Sequence, residues 1–289
     1  MIADQEINIK QLLLKLFEKK ISIILITSIF SISSFLYVMN EENIYQSSVK
    51  LFNKSDISNS ASSLSAISGF LDVGTGSTNK TEYAISKLKS RDFFSHIIGL
   101  HKHYIKDIYA ARKYNSSVNK FEYDDSKLEL INNNAYFEKA FQFFQKKVIN
   151  ISRNRSSGII TISISHLSPN FAKELLDTIV LEINLIISKE DYLEASNSIK
   201  FLEESVKTTK DKDTRNSMIN LIENNLEKQV ISLVNNKNYI FRIVENPYVP
   251  EDKVYPARAK TIITFTIIGF IISLIFIIFK EIFFKRKQS

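Results

Sequence analysis

The sequence contains no cysteine, so no disulfide and no thiolate chemistry is available to it. This absence does not identify a cellular compartment. Tryptophan is also absent, and only four prolines occur, of which three lie within residues 247–256. Between the two apolar runs described next lie about 220 residues, which is enough for one domain with a real core or for two small ones.

The middle of the chain has little net charge. The whole sequence has a net charge of +7, but residues 40–259 hold 29 Lys and Arg against 27 Asp and Glu, a net of only +2. The other positive charges lie beside the apolar runs near the two ends. A basic bias of this kind is typical of segments that flank a membrane, so the sequence predicts no nucleic-acid partner.

Two long runs, 21–40 and 261–279, contain no charged residue. As helices, runs of this length cover about 27–30 Å, which is the thickness of the hydrocarbon layer of a membrane. We therefore predict transmembrane helices at 21–39 and 261–279. A cleaved signal peptide is the alternative for the first run, but a charged arm of residues 1–20 precedes it and no small-residue cleavage site follows it.

The charges that flank these runs predict the orientation. The four lysines of residues 1–20 precede the first run, and Glu41 and Glu42 follow it. Basic residues also follow the second run, although Lys253, Arg258 and Lys260 precede it and weaken the bias there. Because Lys and Arg are enriched on the cytoplasmic side, we expect a cytoplasmic arm (1–20), an outer domain (40–258) and a cytoplasmic tail (280–289).

The two apolar runs contain no Asp, Glu, Lys, Arg or His, which argues against a proton relay or an ion pathway. Gly269 and Ser273 form a small-xxx-small pair, as do Thr27 and Ser31, and such pairs allow helices to approach closely. We predict Gly269 and Ser273 as a helix-packing site within the membrane.

The segment between the runs mixes strands and helices. Strict alternation of Ile with Thr and Ser over 160–165 predicts a strand, and Ser168 followed by Pro169 predicts the start of a long helix. Residues 101–136 give no clear pattern. The further predictions are strands at 44–53, 148–152 and 239–245, a flexible Ser/Gly-rich loop at 55–78, helices at 81–98 and 135–148, and long helices at about 169–209 and 214–235.

These elements predict a membrane-anchored α+β fold in which a small base sheet carries a long helical extension. The first long helix would measure about 60 Å at 1.5 Å per residue. Its apolar stripe needs a partner surface, which either the chain's own helices or neighbouring subunits can provide. The second option predicts a homo-oligomer.

Four segments resemble proteins of the Wzz type, the polysaccharide co-polymerases that set chain length. They are INIKQLL before the first run, EYAISKLKSRDF, the strand-to-helix segment SGIITISISHLSPNFAKELLDTIVLEIN, and NYIFRIVENPYVPEDKVYPARAK before the second run. The last is the most specific, because it contains Pro247, Pro250 and Pro256. Proline fixes φ and lacks an N–H, so independently of the family these residues predict a stiff, extended connector at 246–258.

The resemblance implies an inner-membrane homo-oligomer of a bacterium, with both termini cytoplasmic and the main domain periplasmic. It also implies a non-enzymatic role in setting the length of O-antigen or a related surface polysaccharide. The implied partners are a multi-span polysaccharide polymerase and a lipid-linked glycan. The alternative is an adaptor of a capsular polysaccharide export complex, and a two-span sensory receptor is disfavoured because only ten residues follow Phe279.

No pattern predicts a catalytic residue, a cofactor or a metal site. His101 and His103 lack an evident third ligand, the Gly74–Thr81 segment lacks the Gly-Lys-Ser/Thr ending of a phosphate loop, and the acidic pairs lie in very polar stretches. Four basic residues are predicted as candidate contacts for an anionic glycan or a lipid head group: Lys146, Lys147, Arg153 and Arg155.

Overall fold

A computed structural model of the protein describes residues 18–53, 76–133, 135–154, 156–234 and 236–285. The chain divides into two compact units, one formed by residues up to Ile44 together with those from Lys253 onward, and one formed by Tyr45–Asp252. Most of the predicted arm 1–20, most of the predicted loop 55–78, and residues 286–289 of the tail lie outside the described residues.

Helices dominate the described chain. The α-helices are α1 (Lys20–Asn40), α2 (Gly76–Leu88), α3 (Arg91–Leu100), α4 (Asp125–Asn132), α5 (Phe137–Phe143), α6 (Pro169–Thr208), α7 (Lys212–Val234) and α8 (Arg258–Lys285). The strands are β1 (Ile44–Asn53), β2 (Ala111–Asn115), β3 (Lys120–Tyr123), β4 (Ile149–Arg153), β5 (Ile160–His166), β6 (Phe241–Glu245) and β7 (Lys253–Tyr255). Two π-helical segments, Lys106–Ala110 and Phe144–Val148, and a 3₁₀ turn at Asn236–Asn238 complete the set.

The first unit contains α1 and α8, the apolar helices at the two ends of the described chain. Among the described residues, these two are long and apolar enough to cross a membrane. They pack against each other as an antiparallel pair, because Phe30 of α1 contacts Gly269 of α8 while Ser34, further along α1, shares a groove with Phe265.

The second unit is built on a small antiparallel sheet with the strand order β4-β5-β1-β6. Val49 and Ile151 both lie opposite Ile162, so strand alternation gathers apolar side chains on one face. These side chains join the main hydrophobic core. The predicted strand at 44–53 and the predicted hairpin formed by β4 and β5 are confirmed.

Helix α6 packs its first half on this sheet. Ser168 caps it by accepting a hydrogen bond from the Phe171 N–H, at 3.3 Å, and Pro169 occupies the first helical position. The buried apolar positions run from Phe171 to Ile187, after which only Ser188, Asp191, Ala195 and Ile199 of this helix are buried. Helix α7 returns along this second half, so α6 and α7 form a helical hairpin.

Three sequence predictions need correction. The single helix predicted at 81–98 is divided into α2 and α3, because Ser90 ends one helix and caps the next by accepting from the Phe93 N–H at 3.1 Å. Residues 76–78, predicted as loop, belong to α2. The helix predicted at 135–148 is α-helical only over α5 and then widens into a π-helical segment.

The region that gave no clear pattern, 101–136, contains regular structure. A π-helical segment leads into the β2–β3 hairpin, and α4 follows, capped by the carboxylate of Asp124. The last predicted strand, 239–245, begins only at Phe241.

Candidate functional site

The predicted packing site on α8 lies where α1 and α8 approach each other. A Cβ atom added to Gly269 would lie 2.6 Å from Phe30 Cβ and 2.9 Å from Phe30 Cγ, so the site has no room for a side chain. Ser273 is fully buried, and its hydroxyl donates to the Phe270 carbonyl at 2.7 Å. The close approach therefore depends on glycine at 269.

The proline-rich segment is non-helical from residue 246 to residue 257 and includes the short strand β7. Pro247, Pro250 and Pro256 are all buried, whereas Tyr248 and Val249 are largely exposed. The Tyr255–Pro256 bond is cis. Within the second unit, the Ser47 hydroxyl of β1 donates to the Tyr248 carbonyl at 2.7 Å.

A further tie of this segment lies within the first unit. The Asn43 side-chain oxygen accepts from Lys253 Nζ at 3.2 Å and from Arg258 Nη2 at 3.3 Å. One amide oxygen thus joins the chain that leaves α1 to the chain that enters α8.

An open polar cleft lies between α2 and the end of β4. Its volume is about 520 Å³, and it is lined by Glu82, Ile85, Lys89, Ile151 and Arg153. Arg153 Nη1 donates to Glu82 Oε1 at 2.7 Å, and the Arg153 side chain is mostly covered. The cleft combines two cations and one carboxylate with an apolar floor, a mixture that suits a polar ligand carrying negative charge.

Of the four basic residues predicted to contact glycan, three lie among the described residues. Arg153 lines the cleft, while Lys146 and Lys147 are exposed on the π-helical segment before β4 and are not among the described residues that line it. Arg155 lies outside the described residues.

The α6–α7 hairpin carries many exposed apolar side chains along its length. Phe201 is 69% exposed and Leu193 is 50% exposed, and α7 contributes Leu226, Val230 and Leu233. Exposed apolar surface that extends over two helices is typical of an association surface rather than of a solvated face.

The buried carboxamide of Asn184 stabilises the root of this hairpin, by which we mean the end where α6 packs against the start of β6. Asn184 of α6 is fully buried, and its Oδ1 accepts hydrogen bonds from the backbone N–H groups of Ile240 and Phe241, both at 2.9 Å. Its Nδ2 donates to the Val180 carbonyl at 2.9 Å. This one side chain therefore fixes the start of β6 against α6.

Asp191 forms a second polar tie two turns further along α6. Its carboxylate accepts from Lys80 Nζ at 2.9 Å and from Tyr239 Oη at 2.7 Å, and it pairs with Lys228 of α7 at 3.3 Å. Burial alone would raise the pKa of the Asp191 carboxyl, but the hydrogen bonds from Tyr239 and Lys80 outweigh burial and hold this pKa below its usual range. Asp191 thus joins α2, α6, α7 and the entry to β6.

A buried histidine occupies the junction between β5 and α6. His166 Nδ1 accepts from the Ser168 N–H at 3.2 Å, so the ring donates through Nε2 to the Asp107 carbonyl at 2.9 Å. Burial lowers the pKa of His166 to about 4. Burial also raises the pKa of the Asp107 carboxyl, although the hydrogen bond from Tyr123 opposes this effect.

Sequence reasoning missed Asn184, Asp191 and His166. The signal for His166 was present, because it continues the phase of Ile160, Ile162 and Ile164 and therefore points to the same buried face. Among the described residues, no three His, Asp or Glu side chains are grouped to hold a metal ion.

Comparison with known proteins gives a match to one family model and likenesses to solved structures, two of which are described below. The model of the Wzz family, described as chain length determinant protein, matches residues 5–99, about a third of the chain. No curated protein matches the sequence significantly. The resemblance to Wzz-type proteins is thereby confirmed.

The first structural likeness is to a full-length bacterial polysaccharide co-polymerase, with 12% identity, a TM-score of 0.41, and coverage of 94% of this chain and 97% of that one. The second is to a fragment of WzzB, a polysaccharide co-polymerase from Salmonella Typhimurium, with 12% identity, a TM-score of 0.35, and coverage of 74% and 100%. Because both TM-scores lie below 0.5, the resemblance to the Wzz family rests on the sequence match alone.

Proposed function

We propose that this chain, which matches the Wzz family over residues 5–99, is a non-enzymatic regulator of the length of O-antigen or a related surface polysaccharide. It acts as a homo-oligomeric scaffold in the bacterial inner membrane, together with a multi-span glycan polymerase and its lipid-linked glycan. The family match is the observation that carries this proposal, and the physical features below support it.

Membrane anchoring is supported by the exposure of the apolar helices. Ile21 of α1 is 73% exposed and Ile275 of α8 is 61% exposed, and similar side chains surround both helices. A core helix of a soluble protein would bury them, whereas a membrane helix presents them to lipid. The flanking charges support cytoplasmic termini and a periplasmic second unit.

Homo-oligomerisation is supported by the α6–α7 hairpin. Its exposed apolar side chains, Phe201 and Leu193 among them, need a partner surface that the chain does not supply within its described residues. A neighbouring copy of the same hairpin is the simplest partner, because identical copies are present at the same membrane.

Contact with the glycan is assigned to the polar cleft. Arg153 and Lys89 offer cationic donors beside Glu82, and Ile85 and Ile151 form an apolar floor. A saccharide presents hydroxyl groups, apolar ring faces and, when acidic, carboxylates, so this combination suits it.

Deletion of the gene, followed by gel analysis of the surface polysaccharide, tests the proposal. We expect the total amount of polysaccharide to persist while its modal length is lost, and the native gene on a plasmid should restore it. An unchanged length distribution would refute the proposal. Loss of surface polysaccharide without a change in modal length would instead identify the chain as an export adaptor.

A further inference from the structure

The first unit contains a groove beside the contact between α1 and α8. The groove has a volume of about 380 Å³, and its lining is mostly apolar. The lining residues are Ile29, Phe30, Ser33, Ser34, Tyr37 and Phe265.

The Ser34 hydroxyl in this groove lacks a hydrogen-bond partner within the part of the chain that the structure describes. Ser34 is 2% exposed, and its hydroxyl makes no hydrogen bond to any described residue. Other hydroxyls of the helix pair bond to their own helix, as Thr27 does to the Ile23 carbonyl and Thr266 to the Ile262 carbonyl. A buried hydroxyl without a partner is unfavourable in an apolar medium, so Ser34 indicates an occupant that brings a polar atom. A hydrocarbon chain of a lipid has none, whereas a third helix does.

The register of the two helices identifies a matching group at the same height. Gly269 lies opposite Phe30, and because the helices are antiparallel, Ser34 lies at the level of residue 265. Thr264 is one residue away from that level, or about 1.5 Å along the helix axis. Its hydroxyl donates to the Lys260 carbonyl at 2.9 Å, which leaves its oxygen able to accept a further hydrogen bond.

Thr264 faces away from the helix pair. It lies two residues, and thus about 200° around the helix, from Thr266, which shares the inward stripe with Gly269. Thr264 is exposed, and it shares the outward face of α8 with Ile268, Ile271 and Ile275, which are exposed as well. This face is apolar except for the Thr264 hydroxyl, and the groove is mostly apolar except near Ser33 and Ser34.

We propose that the groove beside Ser34 receives the outward face of α8 from a second copy of this chain, with the Ser34 hydroxyl donating to Thr264 Oγ1 of that copy. Copies related by an axis normal to the membrane hold each residue at the same depth, so the second copy presents this threonine at the height of the serine. The inference rests on the proposed function, since it requires that both helices cross the membrane and that the copies associate. It specifies which residues meet within the membrane.

Disulfide cross-linking tests this contact directly, because the native chain has no cysteine. Two full-length copies with different epitope tags, one carrying S34C and the other T264C, are expressed together. Their membranes are oxidised with copper phenanthroline and run on a non-reducing gel. The control pair is S34C with I275C, since Ile275 lies on the same face of α8 as Thr264 but about 16 Å further along the axis.

We expect a band that carries both tags, disappears on reduction, and is at least five-fold stronger than the control band. S33C paired with T264C repeats the test from the exposed rim of the groove, in case S34C lowers the amount of protein in the membrane. A two-tag band no stronger than the control for both pairs overturns the proposal, as does cross-linking of S34C to a different protein. If the cross-link is absent but the tagged copies still co-purify and the polysaccharide keeps its modal length, the proposed homo-oligomer stands and only this contact is wrong. Copies that do not co-purify contradict the proposed homo-oligomer itself.

Discussion

Replacing Asn184 by alanine should loosen the root of the α6–α7 hairpin. The substitution removes the acceptor of two backbone N–H groups, those of Ile240 and Phe241, which are 3% and 0% exposed. Each buried donor left without a partner costs about 1–3 kcal/mol, so we expect a loss of about 3 kcal/mol or more in the free energy of unfolding.

Asn197→Ala is the matched control. Asn197 lies on the same helix but is exposed, so it shares the change in helix propensity and lacks the buried bonds. Urea unfolding of the full chain in mild detergent, followed by far-UV circular dichroism, measures both variants. The reasoning is refuted if Asn184→Ala costs less than about 0.5 kcal/mol, or if the two variants are equally destabilised.

Three further predictions address other parts of the chain. Gly269→Ala should reduce the amount of folded protein in membranes, measured by quantitative immunoblot, because the new Cβ would meet Phe30 Cβ at 2.6 Å. Phe30→Gly, which removes that Cβ, should partly restore the amount; equal amounts of Gly269→Ala and the native chain would contradict the tight contact. Burial lowers the pKa of His166 from 6.5 to about 4, so the unfolded chain binds a proton at this histidine more readily than the folded chain does. The free energy of unfolding should therefore fall by about 3 kcal/mol as the pH falls from about 6.5 to 4. His166→Gln should flatten that slope in urea titrations at several pH values, and an unchanged slope would exclude His166 as its source. Phe201→Glu should shift the detergent-solubilised protein to smaller oligomers in light scattering, whereas Lys200→Glu, at an exposed neighbouring position, should not; the same behaviour in both variants would argue against an association surface at Phe201.

Sequence patterns predicted the sheet and the long helix well because both obey local rules. Alternation of Ile with Thr and Ser is sufficient to place β5, and Ser168 with Pro169 is sufficient to start α6. The division between α2 and α3 was missed because the apolar spacing continues across Ser90. A serine followed by Arg91 and Asp92 is itself a helix-start signal, so the break was open to prediction.

The hydrogen bonds of Asn184 and Asp191 could not be predicted from the sequence because they join segments that are distant along the chain. Asn184 lies beside Ile183 in the apolar stripe of α6, and its partners Ile240 and Phe241 follow more than fifty residues later. The cleft could not be predicted for the same reason, since Glu82 and Arg153 meet only when α2 packs beside β4. Among the predicted basic residues that the structure describes, only Arg153 lines that cleft.

The most direct test of the account is a transfer experiment. This chain is expressed in a strain that keeps its polysaccharide polymerase but has lost its own chain-length regulator, and the length distribution of the surface polysaccharide is measured on a gel. If the chain is a co-polymerase, a modal length should reappear, and it should differ from the one that the host's own regulator imposes. A distribution that stays random, with the protein present in the membrane at normal levels, would contradict the proposed function.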